Sequence, residues 1–188
     1  ANHGARYTRL RTLGRGGIGL VELCRDHHIG RDVALKVLLP DRAPNAQARA
    51  RFLREARIQG QLEHPSIVPV YDLEVEPGGV ASFTMKYLRG MSLSQILQDL
   101  REGAPDAVRA YPRHRLLGAF SALCLAVDFA HSRGVIHRDL KPSNVMLGSY
   151  GELTPRSDVY SLGAILFEIL TLTPLHERST RMAMIYEA

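Results

Sequence analysis

Apolar and polar residues alternate with a period of two over several short stretches in the first half of the chain. This alternation is typical of β-strands, because successive side chains of a strand point to opposite faces of the sheet. Clusters of glycine and proline, such as Gly14–Gly19 and Pro77–Gly79, separate the stretches and favour turns. The pattern predicts five strands: Tyr7–Leu13, Leu20–Cys24, Asp32–Leu38, Ile67–Glu74 and Val80–Tyr87.

One helix interrupts the strands, and helices dominate the rest of the chain. The predicted helix Ala46–Leu62 has Phe52, Ala56 and Gln59 on one face and arginines on the other, and it ends before Pro65. The change from strands to helices predicts two lobes, residues 1–88 and 89–188. In the second lobe we predict helices at Ser92–Arg101, Arg113–Arg133 and Ser157–Leu172, a polar linker at Glu102–Pro112, and a loop with short strands at Val135–Leu147.

Composition and length limit the class of protein. The 188 residues are 45% apolar, which is enough for one domain or two small lobes with a sizeable core. No apolar run is long enough to span a membrane, and Ala1–Arg6 lacks the apolar core of a signal peptide. Cys24 and Cys124 lie among apolar residues, so we predict buried free thiols rather than a disulfide framework. These features favour a cytoplasmic protein without a membrane segment.

The formal net charge of +5 comes mainly from arginine. The excess positive charge is spread along the sequence rather than gathered in one block, so we expect no nucleic-acid partner. Lysine occurs only at Lys36, Lys86 and Lys141, and two of the three lie within the motifs considered next.

A glycine-rich turn, Gly14–Gly19, has the pattern GxGxxG between two predicted strands. Dinucleotide-binding folds place this pattern between a strand and a helix, so the context here differs. A Walker A loop is excluded because no Gly-Lys-[Ser/Thr] follows. We interpret the turn as a hairpin lid whose backbone amides approach nucleotide phosphates. A plain glycine hairpin is the alternative.

Lys36 ends an apolar strand, and Ala34 shares its face of that strand. A small residue there leaves room for a planar ring while the ammonium reaches a phosphate. A lysine at the surface is the alternative. Glu55 is the only acidic residue of the predicted helix and is the candidate partner for Lys36, although pairing with Arg54 or Arg57 at the surface remains open.

The run His137–Asn144 combines three chemically useful side chains at short spacing. Asp139 can accept a proton from an attacking hydroxyl, Lys141 can neutralise charge on a transferring phosphoryl group, and Asn144 can bind a magnesium ion through its side-chain oxygen. Pro142 stiffens the loop between them. A solvated turn of mixed charges is the alternative.

Taken in this order, the pieces resemble the protein kinase family from Leu10 to about Leu172. The lysine two residues after Asp139 resembles the serine/threonine class, and the style of the helix after Ser157 resembles bacterial members. The resemblance implies an α+β, bilobal fold with a small antiparallel sheet lobe carrying one helix, and a mainly helical, incomplete large lobe. The matching segments are Gly14–Gly19, Val33–Lys36, Glu55, His64–Val68, His137–Asn144 and Ser157–Gly163.

The resemblance also implies an activity: transfer of the γ-phosphoryl group of ATP, with Mg²⁺, to serine or threonine hydroxyls of a protein substrate in signalling. It makes Asp158 the anchor of the catalytic loop and Asn144 a metal ligand. The implied catalytic residues are Asp139, Lys141, Asn144, Lys36 and Glu55.

The implied nucleotide site draws on the strands and on the extended segment Phe83–Gly90, whose backbone can pair with an adenine edge. The resemblance implies that Leu13 and Val21 cover the adenine, Met146 lies beneath it, and Met85 is the gatekeeper. The full implied set is Leu13, Gly14, Arg15, Gly16, Gly17, Ile18, Gly19, Val21, Ala34, Lys36, Met85, Lys86, Leu88 and Met146.

The sequence departs from the family after Asn144. The family places Asp-Phe-Gly or a variant there, whose aspartate is the main magnesium ligand, but no acidic residue after Asn144 is followed by Phe-Gly. Two explanations stay open. The natural protein carries an activation segment near Glu152–Leu153 that this sequence omits, or the protein is a degenerate kinase that serves as a nucleotide-binding or protein-interaction module.

Overall fold

The computed structural model of the chain divides into two compact units, residues 1–89 and 90–188. Each unit contains its own buried apolar cluster. The structure describes residues 6–39, 45–76, 80–137, 139–148, 153–154 and 159–173.

The first unit is an antiparallel sheet of five strands with one helix. The order across the sheet is β1-β2-β3-β5-β4, so β1 and β4 form its two edges. All five predicted strands are present. The elements are β1 (Tyr7–Arg15), β2 (Gly19–Asp26), β3 (Arg31–Leu38), α1 (Ala46–Gly60), β4 (Val70–Val75) and β5 (Ala81–Lys86).

One face of this sheet is packed against α1. Phe52 and Ala56 of the helix join Leu38, Ala81 and Phe83 of the strands in a buried cluster. The rings of Phe52 and Phe83 have centroids 5.3 Å apart and are tilted, a favourable arrangement for two aromatic rings. Asn45 caps the helix, because its side chain accepts a hydrogen bond from the backbone N–H of Ala48. These contacts fix the helix on the sheet.

The other face of the sheet is curled around a second cluster made by Tyr7, Cys24, Val33 and Leu35. Arg6 shows the curl, because its guanidinium is 3.3 Å from the Asp26 carboxylate on β2 and 3.0 Å from that of Asp72 on β4. β4 is the edge opposite β1, so one side chain bridges both edges of the sheet. Arg31 of β3 also stacks on the Tyr71 ring of β4 at 3.7 Å.

Asp26 is 1% exposed yet is held in its charged form. Burial by itself raises the pKa of this carboxyl group. Hydrogen bonds from Arg6 and from the backbone N–H groups of His28 and Ile29 oppose that effect, and the net pKa lies below its ordinary value.

The described residues of the second unit form four helices and a small sheet in the order β6-β7-β8. Its largest cluster joins α2, α4 and α5 through Leu97, Leu123 and Ile165, all at most 1% exposed. No helix within the described ranges is long and apolar enough to cross a bilayer. The elements are β6 (Gly90–Ser92), α2 (Leu93–Arg101), α3 (Pro105–Ala110), α4 (Arg113–Ser132), β7 (Met146–Gly148), β8 (Leu153–Thr154) and α5 (Val159–Thr171), with a 3₁₀ turn at Pro142–Asn144.

The structure corrects the predicted linker Glu102–Pro112, which contains helix α3. Pro105 occupies the first turn, where its missing N–H costs nothing, and Asp106 lies at the positive end of the helix dipole. These two start signals explain the helix, although the segment is too short to show a helical apolar pattern.

Other differences concern element ends and one thiol. β1 extends to Arg15 instead of Leu13, because Gly14 and Arg15 pair with Val21 and Leu20. The helix predicted to reach Leu62 ends at Gly60. Cys24 is buried as predicted, and burial raises its pKa to about 11. Cys124, predicted to be buried, is only half-buried because it lies on the flank of α4.

The Leu123→Ala variant tests the core of the second unit. Leu123 is 1% exposed and lines a small apolar cavity with Leu93 and Ile165, so its truncation should lower the free energy of unfolding by about 2–5 kcal/mol. Leu125→Ala removes the same atoms from a side chain that is 63% exposed and should change it by less than about 0.5 kcal/mol. Urea unfolding followed by far-UV circular dichroism measures both variants. Equal losses would contradict the core assignment.

The pH dependence of stability tests the Arg6–Asp26 contact. Because the folded-state pKa of Asp26 is lowered, its stabilising effect is complete above the unfolded value of about 3.9 and is lost as the pH falls through the folded value. Thermal unfolding between about pH 2 and 6 should show this loss. Asp26→Asn, which cannot titrate, should flatten the profile, and Arg6→Gln should reduce its slope. An unchanged slope in both variants would contradict the contact.

Candidate active site

The glycine-rich turn connects β1 and β2 as a tight hairpin. The backbone N–H of Gly16 donates to the carbonyl of Gly19 at 2.8 Å, and the N–H of Leu39 donates to the carbonyl of Ile18 at 3.0 Å. The second bond ties the turn to the end of β3. A Cβ added at Gly14 or Gly17 would meet no atom within 4 Å, so the outer side of the turn is open. This opening leaves backbone amides accessible to a ligand.

Lys36 of β3 and Glu55 of α1 form an ion pair with Nζ and Oε1 2.6 Å apart. Both side chains are largely shielded, at 18% and 26% exposure. The ammonium also lies 5.9 Å from the ring centroid of Phe52 and 5.6 Å from that of Phe83. The low local polarity strengthens the attraction between the two charges. The partner of Lys36 is therefore the one expected from the sequence, and not a surface arginine partner of Glu55.

Strand pairing brings several predicted nucleotide-contacting residues to the same face as Lys36. Val21 is directly opposite Lys36 across β2 and β3, and Ala34 is opposite Met85 across β3 and β5. Directly opposed residues of paired strands point to the same side. Gly19 completes this face, because an added Cβ would lie 3.2 Å from Cε of Lys36 and 3.1 Å from the Val37 carbonyl oxygen.

The segment after β5 is fastened to the sheet by side chains. The Arg11 guanidinium donates to the Tyr87 hydroxyl at 3.1 Å. Arg89 lies 3.6 Å from the carboxylate of Asp32, which Arg25 also contacts at 3.0 Å. Sequence reasoning missed these contacts, because in an arginine-rich chain no local pattern distinguishes these arginines from the others. They position the backbone around Leu88.

In the second unit, Asp139, Lys141 and Asn144 are brought together. Lys141 Nζ is 2.8 Å and 3.1 Å from the two carboxylate oxygens of Asp139. Asn144 donates its amide to the Asp139 carbonyl at 2.8 Å and to its carboxylate at 3.3 Å. The Nδ1 atom of His137 accepts the backbone N–H of Asp139 at 3.1 Å, so this nitrogen carries no proton.

Buried residues anchor this loop while its functional side chain stays accessible. Leu140 and Val145 belong to the core of the second unit, at 6% and 1% exposure, whereas the Asp139 side chain is 65% exposed. The carbonyl of Val145 also accepts the N–H of Leu93 at 2.8 Å. The carboxylate is therefore presented to solvent on a fixed backbone.

Of the remaining predicted positions, Met146 lies in β7, paired with Ser92, and Leu13 lies at an irregularity of β1 between Thr12 and Gly14. Lys86 ends β5 and is exposed. Asp158, the predicted anchor of the catalytic loop, lies outside the described residues.

The loop chemistry fits a magnesium–nucleotide only in part. Asn144 uses its side-chain nitrogen as donor, so its oxygen remains available as a ligand. Magnesium prefers carboxylate and phosphate oxygens. Within the described residues no cluster of three or more histidine, cysteine, aspartate or glutamate side chains exists.

The comparison with known proteins agrees with these motifs. A family model described as protein kinase domain matches residues 7–154. This chain belongs to the protein kinase family. It is 39% identical over 166 residues to the serine/threonine-protein kinase PknD of Chlamydia trachomatis serovar L2b, and 36% identical over 151 residues to PknD of Protochlamydia amoebophila. The first match covers 87% of this chain and 17% of the relative, and the second covers 78% and 15%.

The kinase fold is also similar to a solved structure. A mutant of the Mycobacterium tuberculosis PknI kinase domain superposes with a TM-score of 0.69 at 30% identity, covering 94% of this chain and 78% of that chain. The predicted family, its bacterial serine/threonine style and the α+β kinase-like fold are confirmed. Proteins of this family use ATP and Mg²⁺.

Gly19→Ala and Gly118→Ala form a matched test of the kinase hairpin. An added Cβ at position 19 crowds the Lys36 stem, whereas at the exposed Gly118 of α4 it meets no atom within 4 Å. Gly19→Ala should therefore weaken binding of a fluorescent ATP analogue by about tenfold, since displacing one charge-assisted contact costs about 1.5 kcal/mol. Gly118→Ala should bind within about twofold of the wild type, because it lies outside the hairpin. Equal affinities of the two variants would contradict this geometry.

Proposed function

We propose that this chain binds ATP with magnesium and transfers its γ-phosphoryl group to serine or threonine hydroxyls of a protein. The observation that carries the proposal is the Lys36–Glu55 ion pair at 2.6 Å. A carboxylate that fixes a lysine ammonium in a partly shielded position prepares that lysine to bind the α- and β-phosphates. The chain spans 17% of its curated relative from Chlamydia trachomatis, so the activity of the whole protein is part of the proposal.

In this proposal the first unit binds the nucleotide. The glycine hairpin (Gly14, Arg15, Gly16, Gly17, Ile18 and Gly19) covers the phosphates with backbone N–H groups. Leu13, Val21 and Ala34 contact the adenine, with Met85 as gatekeeper and Lys86 and Leu88 as backbone partners.

The loop around Asp139 supplies the proton chemistry. The substrate hydroxyl oxygen attacks the γ-phosphorus and the bond to the bridging oxygen of ADP breaks. Asp139 accepts the hydroxyl proton, and its 65% exposure leaves it accessible to a protein substrate. Lys141, 2.8 Å from that carboxylate, is close enough to neutralise charge on the transferred group.

A bound magnesium ion would neutralise charge on the phosphate oxygens. Asn144 would hold it through its side-chain oxygen, while its amide nitrogen keeps the orientation of Asp139. No second protein ligand is assigned, because no Asp-Phe-Gly follows Asn144 in the sequence.

Activity of the loop is tested with γ-labelled ATP and a generic protein acceptor such as casein. Asp139→Asn should lower the rate by about 10²–10⁴-fold, the usual contribution of a positioned base. Lys36→Met should also abolish measurable transfer. Asp106→Asn, which makes the same change at an exposed position of α3, should keep the wild-type rate. Wild-type rates in both site variants would refute the proposal.

The second candidate function is a degenerate kinase that binds nucleotide or a partner without turnover. It is favoured by the absent Asp-Phe-Gly motif. If this is correct, magnesium should add little to the thermal stabilisation given by ATP alone. A large magnesium-dependent increase in melting temperature would support the enzyme, since a ligand that binds the folded state more tightly stabilises it more at the same concentration.

The intact mass of the natural protein separates the two explanations for the missing motif. A mass near 20.9 kDa would support the degenerate kinase. A larger mass, with peptides that map between Glu152 and Leu153, would support an activation segment that this sequence omits.

A further inference from the structure

Helix α1 has a row of three exposed arginines on the side away from the sheet: Arg51, Arg54 and Arg57, here called the arginine face. Arg49 is also exposed, but it lies in line with the buried Ala56 near the start of the helix. The opposite side of the helix buries Phe52, Ala56 and Gln59. The helix therefore brings part of the positive charge of the chain together on one surface.

The arginine side chains of this face make no ion pair or hydrogen bond with any residue in the described part of the chain. The only acidic residue of α1, Glu55, is paired with Lys36. Several arginines in or beside the sheet, in contrast, lie close to carboxylates. They are Arg6, Arg9, Arg25 and Arg89, with N–O distances from 3.0 to 3.6 Å.

These charges are unfavourable for the helix itself. The first turn of α1 contains no acidic residue, and Arg49 lies near the positive end of the helix dipole. Arg51, Arg54 and Arg57 follow one another at intervals of three residues, so neighbouring positive charges repel. An anionic group bound along the arginine face would relieve this repulsion. The fold therefore leaves this positive charge uncompensated although it neutralises arginines elsewhere.

We propose that the arginine face docks an acidic segment of a partner protein. Arginine binds carboxylates through two parallel N–H groups, which suits aspartate and glutamate side chains. The face spans about 9 Å along the helix, from the rise of 1.5 Å per residue, which matches a segment of about three residues in extended form. The complementarity of charge decides the class of partner.

Two other anionic partners fit the surface less well. Single-stranded nucleic acid is bound with aromatic side chains on which bases stack, and the exposed side of α1 has none. A membrane surface requires large apolar side chains beside the basic ones, but the large exposed hydrophobic residues of the described chain lie outside α1. An acidic peptide needs neither feature.

The experiment measures binding of a fluorescein-labelled octaglutamate peptide to the full chain by fluorescence anisotropy, without nucleotide. Arg54→Gln/Arg57→Gln should weaken binding by about tenfold, from two lost ion pairs of up to about 1 kcal/mol each. Arg109→Gln/Arg113→Gln removes the same charge from exposed positions of the second unit and should change affinity by less than about twofold. Because no ATP is present, the result is independent of the proposed phosphoryl transfer.

Further arms make the outcome decisive. Arg54→Lys/Arg57→Lys keeps the charge and should retain most of the affinity, and glutamine preserves helix propensity, so unchanged melting temperatures show that the variants fold. No binding of the peptide would overturn the proposal, as would an equal loss in the two glutamine variants. Tighter binding of a single-stranded octanucleotide, or of phosphatidylserine vesicles, would overturn it in favour of those partners.

Discussion

The ion pair between Lys36 and Glu55 is the contact on which the first unit is organised. It joins the central strand of the sheet to helix α1, and both charges are largely removed from water. A shielded pair adds little net stability, because desolvation offsets most of the attraction. Removing either partner, however, leaves the other charge without compensation. The pair therefore fixes the position of the ammonium rather than strengthening the fold.

The packing around this pair explains why nearby residues are small or aromatic. Gly19 lets β2 approach the lysine stem, since any Cβ there would come within 3.2 Å of it. Phe52 and Phe83 present their rings to the ammonium from helix and strand. Ala34 keeps the neighbouring position open on the same face. These contacts lie on one face of the sheet. On the other face, the ion pairs of Arg6 with Asp26 and Asp72 hold the sheet in its curled form.

In the second unit, the carboxylate of Asp139, the proposed catalytic base, is exposed to solvent. Its loop is anchored at Leu140 and Val145 in the core, and local hydrogen bonds from Asn144 and to His137 fix the backbone and side chain of Asp139. All these partners lie within five residues along the chain. A short motif can therefore encode the loop, which is why it is so recognisable in the sequence.

The sequence by itself determined the five strands, the helix after the third strand and the family, because each depends on local periodicity or on a short motif. It also predicted that Lys36, Glu55 and Asp139 belong to the site. It also predicted the face shared by Ala34 and Lys36, since alternation along a strand is local. Tertiary structure alone decided the pairing of Arg6 with β2 and β4 and the contact of Arg11 with Tyr87. Those contacts join residues 20 to 76 positions apart, so they depend on how the sheet curls, which no local pattern specifies.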